Sequence, residues 1–438
     1  MNNEYDIVII GGGVSGTALL YVLSMYTNVK RIALVEKYDK LAQVNSKHTN
    51  NSQTLHFGDI ETNYTVEKAA KVSKAANLVK KYVETIGKKE PLYKKYHKMV
   101  LAVGEEEVVQ LEKRYTEFKK LFPELKKVGR KELEKIEPKI VEGRDSSQAL
   151  LALFSPNGYT INYGKLSESF VKHAKKTNKH IDVFLGKKVL QITKKKKGHD
   201  VQLKNKTLHA PAVAVTAGAH SLLFAKQLGY GLNYSVLPVS GRFYFAPQVL
   251  NGKVYTLQKP KLPFAAIHGD PDVMGPEKTR FGPIAKAMPL LERYNWWTFF
   301  DYLKTADFDL KTILSVFRIT FDPILFKYML KETIYELPLV GKYFYVKSVQ
   351  KIIPTMRARD LMFAKGIGGI RPQVVNKDTK WLQMGTAKLT GDNILFNITP
   401  SPGASICLKN AEDDAKKLLE FLGKSFAFDE KRFKQDFT

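Results

Sequence analysis

The fold is decided by residues 6–26, DIVIIGGGVSGTALLYVLSMY, near the start of the chain. Ile7–Ile10 is a β-branched run, and Gly11, Gly13 and Gly16 follow in G-x-G-x-x-G spacing before an apolar segment that suits a helix. This order predicts a strand, a tight turn and a helix N-terminus. The first glycine permits the turn, the second lets the backbone approach a pyrophosphate, and the third lets helix pack on strand. Because helix N-terminal N–H groups attract phosphate, we predict a dinucleotide ligand.

A second apolar run supports this interpretation. Arg31–Val35 suits a strand, and it ends at Glu36, twenty residues after Gly16. A carboxylate at that spacing is placed to bind the ribose hydroxyls of a dinucleotide. The glycine pattern alone also fits a buried strand and turn without a ligand, but the glycines and Glu36 together favour the nucleotide.

Length and cysteine content bound the class of protein. The chain has 438 residues, 44% of them hydrophobic, which is enough for two lobes with their own cores. The single cysteine, Cys407, excludes an internal disulfide and a cysteine-based zinc or iron–sulfur site, and we predict no metal site. Residues 7–29 carry no charge, but their glycines fit a strand, turn and helix better than a membrane span. No basic segment precedes them, so we expect a cytoplasmic protein.

The charge and one apolar region bear on partners. The chain carries 70 Lys and Arg against 43 Asp and Glu, a net charge of +27, which attracts anionic lipid, nucleic acid or acidic metabolites. In residues 296–345, one face of a predicted helix is apolar. Its members are Leu310, Ile313, Leu314, Phe317 and Phe321. This region is interpreted either as an interfacial patch, giving peripheral attachment to the cytoplasmic membrane, or as a helical layer packed on the second lobe.

The succession of strands and helices predicts two discontinuous lobes. The fold class is α/β, with α+β character in the second lobe. The first lobe is a Rossmann-like domain that binds the dinucleotide, and its ranges are 1–84, 149–225 and 365–438. The second lobe binds substrate and is built on an antiparallel sheet plus helices, and its ranges are 85–148 and 226–364. Residues 286–345 form its helical part, which is the candidate membrane-facing region.

Three further segments have the composition of a site. The run VAVTAGAHS predicts a strand and a small-residue turn at Ala217 and Gly218, a second close approach to the nucleotide. Residues 401–404 form a Pro/Gly turn before a helix, whose N-terminus suits a negatively charged cofactor ring. His268 and Arg280 lie among prolines and glycines, as site residues often do, although each also fits a structural role.

These segments resemble the D-amino-acid-oxidase-type flavoproteins. Within that superfamily the chain is most similar to the malate:quinone oxidoreductases and their L-2-hydroxyglutarate dehydrogenase relatives, on the motifs LHFGDIETNYT and NITPSPGAS. The other motifs that carry the resemblance are GGGVSG with Glu36, SKHTNNSQTLHFGD, VAVTAGAHS, IHGDPD with TRFGP, and GIRPQ. The resemblance implies oxidation of (S)-malate, or a similar 2-hydroxy dicarboxylate, to its 2-oxo acid, with electrons passed to membrane quinone.

The same resemblance implies noncovalently bound FAD in an FAD-binding, Rossmann-like first lobe. The residues expected to hold it are Gly11, Gly13, Val14, Ser15, Gly16, Glu36, Lys37, Ser52, Thr54, Leu55, Val189, Ala217, Gly218, Gly369, Gly403, Ala404 and Ser405. They come from segments spread over nearly the whole chain. We therefore expect several loops to converge on one cofactor.

The chemistry then needs one base and a clamp for carboxylates, because a hydride leaves C2 and a proton leaves its hydroxyl. His268 is the first choice for the base and His56 the alternative, since imidazole titrates near neutrality and both lie in loops predicted to reach the flavin. Arg280 and Arg371 are the candidate clamps, because a guanidinium binds a carboxylate bidentately. Gln53 adds a neutral donor.

Other functions stay open at this point. The chief alternative is L-2-hydroxyglutarate or another 2-hydroxy acid as substrate, because one methylene is not readable from motifs. An amino-acid oxidase is a weaker alternative. In a different class, the net charge of +27 fits a basic flavoprotein that binds RNA or acts as a membrane scaffold. No aromatic-basic RNA motif of a recognised type is present, so we expect no nucleic-acid partner.

Overall fold

The strands belong to two large sheets and one small sheet. The computed structural model describes residues 3–258, 266–275, 277–383, 387–399 and 402–437. The strands in these residues are β1 (Ile7–Ile10), β2 (Arg31–Val35), β3 (Tyr93–Val103), β4 (Lys126–Gly129), β5 (Leu150–Ile161), β6 (His180–Phe184), β7 (Gln191–Lys194), β8 (His199–Gln202), β9 (Thr207–Ala210), β10 (Ala212–Val215), β11 (Tyr234–Pro247), β12 (Lys253–Thr256), β13 (His268–Pro271), β14 (Lys278–Ala287), β15 (Met362–Phe363), β16 (Gly369–Asn376), β17 (Trp381–Gln383), β18 (Ala387–Gly391) and β19 (Ile394–Ile398).

The helices alternate with the strands in the first half of the chain and cluster between β14 and β15 in the second half. The α-helices in the described residues are α1 (Val14–Tyr26), α2 (Val66–Glu84), α3 (Glu105–Phe118), α4 (Arg130–Ile136), α5 (Pro138–Val141), α6 (Tyr163–Ala174), α7 (His220–Gln227), α8 (Thr298–Ala306), α9 (Leu310–Thr320), α10 (Pro323–Tyr335), α11 (Gly341–Val349), α12 (Cys407–Leu422) and α13 (Glu430–Phe437). Within the described residues, no helix is both long and apolar enough to cross a bilayer.

The first sheet has the order β18-β19-β10-β1-β2-β6, with β18 antiparallel to β19 and the other pairs parallel. Ile7 and Ile9 pack in one core with helices α1, α6 and α12. Val8 and Ile10 pack in another, against the small sheet β7-β8-β9. Because a parallel sheet is buried on both faces, β1 reads as a continuous apolar run rather than an alternating one. The predicted α/β class and Rossmann-like lobe are confirmed.

The second sheet has the order β17-β16-β11-β14-β13-β12-β3-β5-β4, with β15 pairing to β11. It is antiparallel except for the pair β12 and β3, which is parallel. The second lobe is therefore built on a mainly antiparallel sheet with helices, as the sequence predicted.

The sheet takes strands from ranges that the sequence division gave to the first lobe. Strand β5 pairs with β3 along most of its length, and β16 pairs with β11 from Tyr234 to Gly241. Membership of a sheet follows from backbone hydrogen bonds to distant segments, which local composition does not reveal. The boundaries at residues 149 and 365 thus differ from the sheet membership in the structure.

Helix α9 buries two hydroxyl residues beside Ile319 and exposes most of its large apolar side chains. Thr312 and Ser315 are fully buried, and Ser315 Oγ donates to the Lys311 carbonyl at 2.7 Å. Leu310 is 72% exposed and Phe317 59% exposed. A helix that packs on a core normally shows the opposite arrangement. The layer does pack on the second lobe, but the apolar face identified in the sequence points away from it.

Candidate active site

A pocket lies at the carboxyl ends of the parallel strands of the first sheet. Ile10, Val35 and Thr216, at or just beyond the ends of β1, β2 and β10, line it. The lining continues into the second sheet through Phe243 on β11 and Arg371 on β16. Ligands of open α/β sheets bind outside the carboxyl ends of the strands. The pocket therefore joins a nucleotide-type site on one lobe to side chains of the other.

The glycine turn after β1 shapes one wall of this pocket. Gly11 has a φ of +112°, which side chains of L-residues rarely adopt. A Cβ on Gly16 would lie 2.0 Å from the Gly11 carbonyl oxygen and 2.6 Å from Thr216 Oγ1, so α1 packs directly on the turn. A Cβ on Gly13 would lie 3.2 Å from Ser46 Oγ, its nearest described neighbour. Gly11 and Gly16 close the turn, and Gly13 leaves its surface bare for a ligand.

Glu36 is held in place by backbone groups at the end of β2. Its carboxylate accepts hydrogen bonds from Gly12 N at 2.7 Å and from Tyr38 N at 3.0 Å. Nearby, Lys37 forms an ion pair with Glu292. Burial alone would raise the pKa of Glu292, but Lys37 lowers it below its usual range. A fixed carboxylate with lone pairs to spare is suited to accept hydrogen bonds from two hydroxyls.

The loop before α12 forms the far end of the pocket. Gly403, Ala404 and Ser405 line it, while Ser401 of the predicted turn lies outside the described residues. Ser405 Oγ accepts a hydrogen bond from His56 N at 3.0 Å and lies 3.3 Å from the Thr54 carbonyl oxygen. These bonds tie the loop that carries His56 to the N-terminal end of α12.

Nearly all of the residues expected to hold the cofactor line this one pocket. They are Gly11, Gly13, Val14, Ser15, Glu36, Lys37, Ser52, Thr54, Val189, Ala217, Gly218, Gly369, Gly403, Ala404 and Ser405. Gly16 and Leu55 are not among the described lining residues. Gly16 packs against the turn, and the Leu55 side chain is fully buried in the core beside α1. The structure thus brings together segments that are far apart in the chain.

His56 reaches the pocket with one ring nitrogen engaged. Its side chain is 13% exposed, and Nδ1 lies 2.6 Å from Glu61 Oε1. Nε2 has no hydrogen-bond partner among the described residues. Burial raises the pKa of Glu61, but the hydrogen bond and charge of His56 and the charge of Lys98 outweigh it and hold that pKa below its usual range. The geometry leaves Nε2 for a ligand.

Arg371 also lines the pocket, from β16. Its guanidinium forms no hydrogen bond or ion pair with any side chain or backbone group in the described ranges. Burial lowers the pKa of Arg371, and the nearby Tyr328 opposes this effect. A guanidinium stays charged in proteins, and a partly buried charge is costly when it has no partner. Arg371 is therefore suited to an anionic ligand.

His268, the first choice for the base, is not among the described residues that line the pocket. It is 1% exposed, and its ring stacks on Tyr255 with centroids 4.3 Å apart. Nε2 lies 3.1 Å from Asp270 Oδ2, and Lys253 Nζ lies 3.3 Å from Asp270 Oδ1. Although burial alone would raise the pKa of Asp270, the charge of Lys253 and the neighbouring His268 ring hold it well below its usual range. This placement favours His56, the alternative, over His268.

Arg280 and Gln53 are likewise engaged by protein groups, away from the described pocket lining. Arg280 is 2% exposed, lies 3.3 Å from Asp272 Oδ2 and donates to the Asn51 carbonyl at 2.9 Å. Gln53 is 1% exposed, and its Oε1 accepts from Val273 N at 2.9 Å. Both side chains hold the loop beside the pocket, although Arg280 Nε and Nη1 have no hydrogen-bond partner among the described residues. Neither residue is among the described lining of the pocket, and their roles as clamp and neutral donor stay predictions.

Several lining residues were missed in the sequence. Ser46 Oγ accepts a hydrogen bond from Val14 N at 3.0 Å, and Phe243 lies in the wall below Arg280. Tyr163 lines the pocket and donates to the Thr54 carbonyl at 3.0 Å. Ser46 is the first residue of the motif SKHTNNSQTLHFGD, which carries part of the resemblance. The two aromatic residues gave no local signal, because aromatic residues on strands and helices usually fill cores.

Comparison with known proteins agrees with this architecture. The family model described as malate:quinone oxidoreductase matches residues 3–429. The chain is 44% identical over 437 residues to a probable malate:quinone oxidoreductase of Campylobacter jejuni, covering 97% of each chain. It is 42% identical over 449 residues to the malate:quinone oxidoreductase of Helicobacter pylori strain J99, covering 100% of this chain and 99% of that one.

Solved structures share the fold at low sequence identity. One is the dithionite-reduced L-alpha-glycerophosphate oxidase of Mycoplasma pneumoniae with FAD bound, at a TM-score of 0.66 and 16% identity, covering 98% of this chain and 97% of that one. This likeness extends to both lobes, since it spans nearly the whole chain. Together with the match over residues 3–429, it confirms the resemblance noted in the sequence. The chain belongs to the malate:quinone oxidoreductase family.

Proposed function

We propose that the protein oxidises (S)-malate to oxaloacetate, with FAD as its resident cofactor and membrane quinone as the electron acceptor. The observation that carries the proposal is the presence of His56 and Arg371 in the lining of the same pocket. Among the described residues, His56 Nε2 has no hydrogen-bond partner, and the Arg371 guanidinium forms no hydrogen bond or ion pair. A 2-hydroxy dicarboxylate needs both groups, because it loses a hydroxyl proton and keeps its negative charges.

The residues of the pocket fit FAD. The bare surface at Gly13 and the N-terminus of α1 suit a pyrophosphate, and Glu36 suits the ribose. Lining residues from Thr54 to the loop at Gly403 extend the pocket beyond the length that these two groups need. When bound, FAD supplies the two-electron acceptor for the hydride that leaves C2 of the substrate. The protein then has only to bind, orient and deprotonate that substrate.

His56 takes the proton from the C2 hydroxyl in this mechanism. Nε2 is the nitrogen available for it, since Nδ1 is engaged by Glu61. The hydrogen bond from His56 N to Ser405 Oγ fixes the backbone from which the ring projects. A base that is held in one orientation saves the entropy of finding it during the reaction. Removal of the proton leaves an alkoxide, from which a hydride departs readily.

Arg371 holds a carboxylate of the substrate. A planar guanidinium binds a carboxylate through two parallel N–H···O bonds and so fixes its direction as well as its position. Because Arg371 lies on β16, at a register position opposite Val239 of β11, the charge is carried by a hydrogen-bonded sheet rather than by a loop. A carboxylate held there orients C2 with respect to His56.

Gly13→Val tests the cofactor assignment. The branched side chain would fill the space proposed for the pyrophosphate, so purified protein should carry less than about a tenth of the wild-type FAD. FAD is measured by its absorbance after denaturation, relative to protein. Gly129→Val is the matched control, because a Cβ at Gly129 meets no described atom within 4 Å and should leave FAD content unchanged. Full FAD content in Gly13→Val would contradict the assignment.

The base is tested by His56→Gln and His268→Gln compared in rapid-mixing experiments under anaerobic conditions. His56→Gln should slow flavin reduction by malate by roughly 10²–10⁴-fold, because general base catalysis is lost. Malate affinity should change little, since the imidazole acts mainly on the proton that leaves. His268→Gln should reduce its flavin at close to the wild-type rate. The reverse ranking would restore His268, and a wild-type rate in both variants would exclude a histidine base.

Arg371→Lys addresses the carboxylate clamp. Lysine keeps the charge but loses the bidentate geometry, so the dissociation constant for malate should rise by roughly 10–100-fold. Some turnover should also be lost through misorientation. Arg280→Lys is the control, because Arg280 is engaged by Asp272 and Asn51, and its malate affinity should stay near wild type. The affinity is read from the concentration dependence of flavin reduction. An unchanged malate affinity in Arg371→Lys would contradict the role of Arg371 as the carboxylate clamp.

We propose further that helices α8–α11 contact the membrane surface. Large apolar side chains are exposed on these helices and in the segments that join them, with Trp297 81%, Leu310 72% and Leu339 87% exposed. Soluble proteins rarely leave so much contiguous apolar surface in water. Lys304 and Lys327 are exposed on the same helices, and lysines beside apolar residues suit an anionic bilayer. Contact at this face would bring the protein to a lipid-soluble quinone.

The double variant Leu310→Glu/Phe317→Glu tests the membrane contact by co-sedimentation with vesicles of anionic and zwitterionic phospholipids. Loss of two apolar side chains at about 1.5–3 kcal/mol each should weaken binding to the anionic vesicles by roughly 10²–10⁴-fold. Flavin reduction by malate should be unaffected. Val109→Glu, on α3 and 64% exposed, is the control for an added charge at an apolar surface residue. Wild-type binding by the double variant would disprove the contact.

A further inference from the structure

The loop that follows His56 places the carboxylate of Glu61 beside the His56 imidazole. Glu61 Oε1 lies 2.6 Å from His56 Nδ1, and the Glu61 side chain is 8% exposed. Its second oxygen, Oε2, is buried and has no hydrogen-bond partner among the described residues. A buried carboxylate usually accepts several hydrogen bonds. Among the described residues, His56 is the only side chain that shares a hydrogen bond with this carboxylate.

The loop that carries Glu61 is held by a buried arginine from α3. Arg114 is 7% exposed, and its guanidinium donates to the backbone carbonyls of Glu61 and Tyr64. It also stacks over Phe118, with Cζ 3.6 Å from the ring centroid. These bonds use the backbone of the loop and leave the Glu61 side chain to His56. The position of the carboxylate is therefore set independently of the imidazole.

The other charged groups around Glu61 come from three elements. Lys98 on β3 forms an ion pair with Asp59 at 2.7 Å, so its charge is partly balanced. Lys68 on α2 is close enough for Glu61 to oppose the lowering of the Lys68 pKa by burial. Arg114 on α3 adds a third cation, and Tyr64 adds a phenol that stays neutral because burial raises its pKa. This cationic surrounding keeps the carboxylate ionised.

We propose that Glu61 is the positioning residue for the base His56. An ionised carboxylate only accepts hydrogen bonds, so Nδ1 carries the hydrogen and Nε2 presents its lone pair to the substrate. The proton of the C2 hydroxyl passes to Nε2 as C2 is oxidised, a bound FAD would accept the hydride, and Glu61 keeps its charge throughout. Its role is to stabilise the imidazolium as it forms. The inference rests on the proposed role of His56.

A second buried pair of the same type shows what a purely structural arrangement looks like. His97 Nε2 lies 2.8 Å from Glu137 Oε1, and Glu137 also accepts hydrogen bonds from Asn251 N at 2.9 Å and Gly252 N at 2.6 Å. That carboxylate joins backbone segments of the second lobe, and its histidine is not among the described pocket-lining residues. Among the described residues, the Glu61 carboxylate accepts no hydrogen bond from the backbone of another residue. The comparison supplies a matched control.

Glu61→Gln is examined in the FAD-loaded enzyme by anaerobic flavin reduction as a function of pH. Reduction requires the neutral base, so the wild-type rate rises with pH. Loss of the negative charge removes a stabilisation of the protonated ring, so the midpoint of the profile should move to lower pH by about 1 unit or more. The limiting rate should fall by roughly 10–10²-fold, because a less basic imidazole takes the proton more slowly. Malate affinity should stay within about twofold of wild type.

Glu137→Gln is the control for the loss of a buried histidine–glutamate pair. It should lower the midpoint of urea unfolding at least as much as Glu61→Gln does, because Glu137 has more partners, while leaving the pH profile of flavin reduction unchanged. If Glu61→Gln lowers the rate without moving the profile, the residue is structural and the inference is wrong. Should Glu61→Gln not fold, Glu61→Asp retains the charge and must keep the wild-type midpoint, and a moved midpoint in that variant contradicts the inference.

A double-mutant cycle with His56→Gln separates this inference from the proposal on which it rests. If Glu61 acts through His56, adding Glu61→Gln to His56→Gln should change the rate by less than about twofold. A further loss as large as in the wild-type background means that Glu61 acts independently, which overturns the inference. A wild-type rate in His56→Gln would instead contradict the proposed role of His56 as the base. Acylation of His56 by diethyl pyrocarbonate, followed by peptide mass spectrometry, gives a readout without catalysis and should slow in Glu61→Gln.

Discussion

The structure depends on the close packing of α1 against the turn that ends β1. Gly16 sits so near the Gly11 carbonyl and Thr216 that no side chain fits between them. This contact fixes the N-terminus of α1 beside β10, and Gly12 N is thereby placed to hold Glu36. One steric constraint thus sets the positions of a helix N-terminus and a carboxylate, the two groups that a dinucleotide needs. The remaining loops of the pocket are arranged around them.

The part of the fold that the sequence predicted well is the part with local causes. Ile7–Ile10 has the pattern of a strand, because a parallel strand is buried on both faces and is apolar throughout. The turn after it is recognisable by its glycines, because Gly11 adopts a positive φ. Glu36 follows from its spacing alone. In each case the physical requirement acts on neighbouring residues of the chain, so it leaves a pattern that can be read without the structure.

The part that the sequence did not predict depends on contacts between distant segments. His268 and His56 both lie in motifs that carry the resemblance to flavoproteins, and the burial of His268 against Tyr255 separates them only in the structure. Strand β16 was not predicted, because its pairing with β11 is not visible in the composition around Arg371. The polar side of α9 gave no sign that it would be the buried one. Burial is a property of the assembled chain, and two similar motifs can differ in it completely.

In the proposed membrane contact, the two faces of helix α9 have different surroundings, protein on one side and lipid on the other. The buried hydroxyls of Thr312 and Ser315 are constrained by hydrogen-bond geometry, because the loss of one atom leaves a partner unsatisfied. The contribution of the outer residues to membrane binding would depend only on their transfer free energy, which follows apolar area and hardly shape. Leucine, isoleucine and phenylalanine are then interchangeable on the outer face, whereas the smaller polar residues within are not. Divergence among related chains should accordingly be fastest where this helix is most hydrophobic.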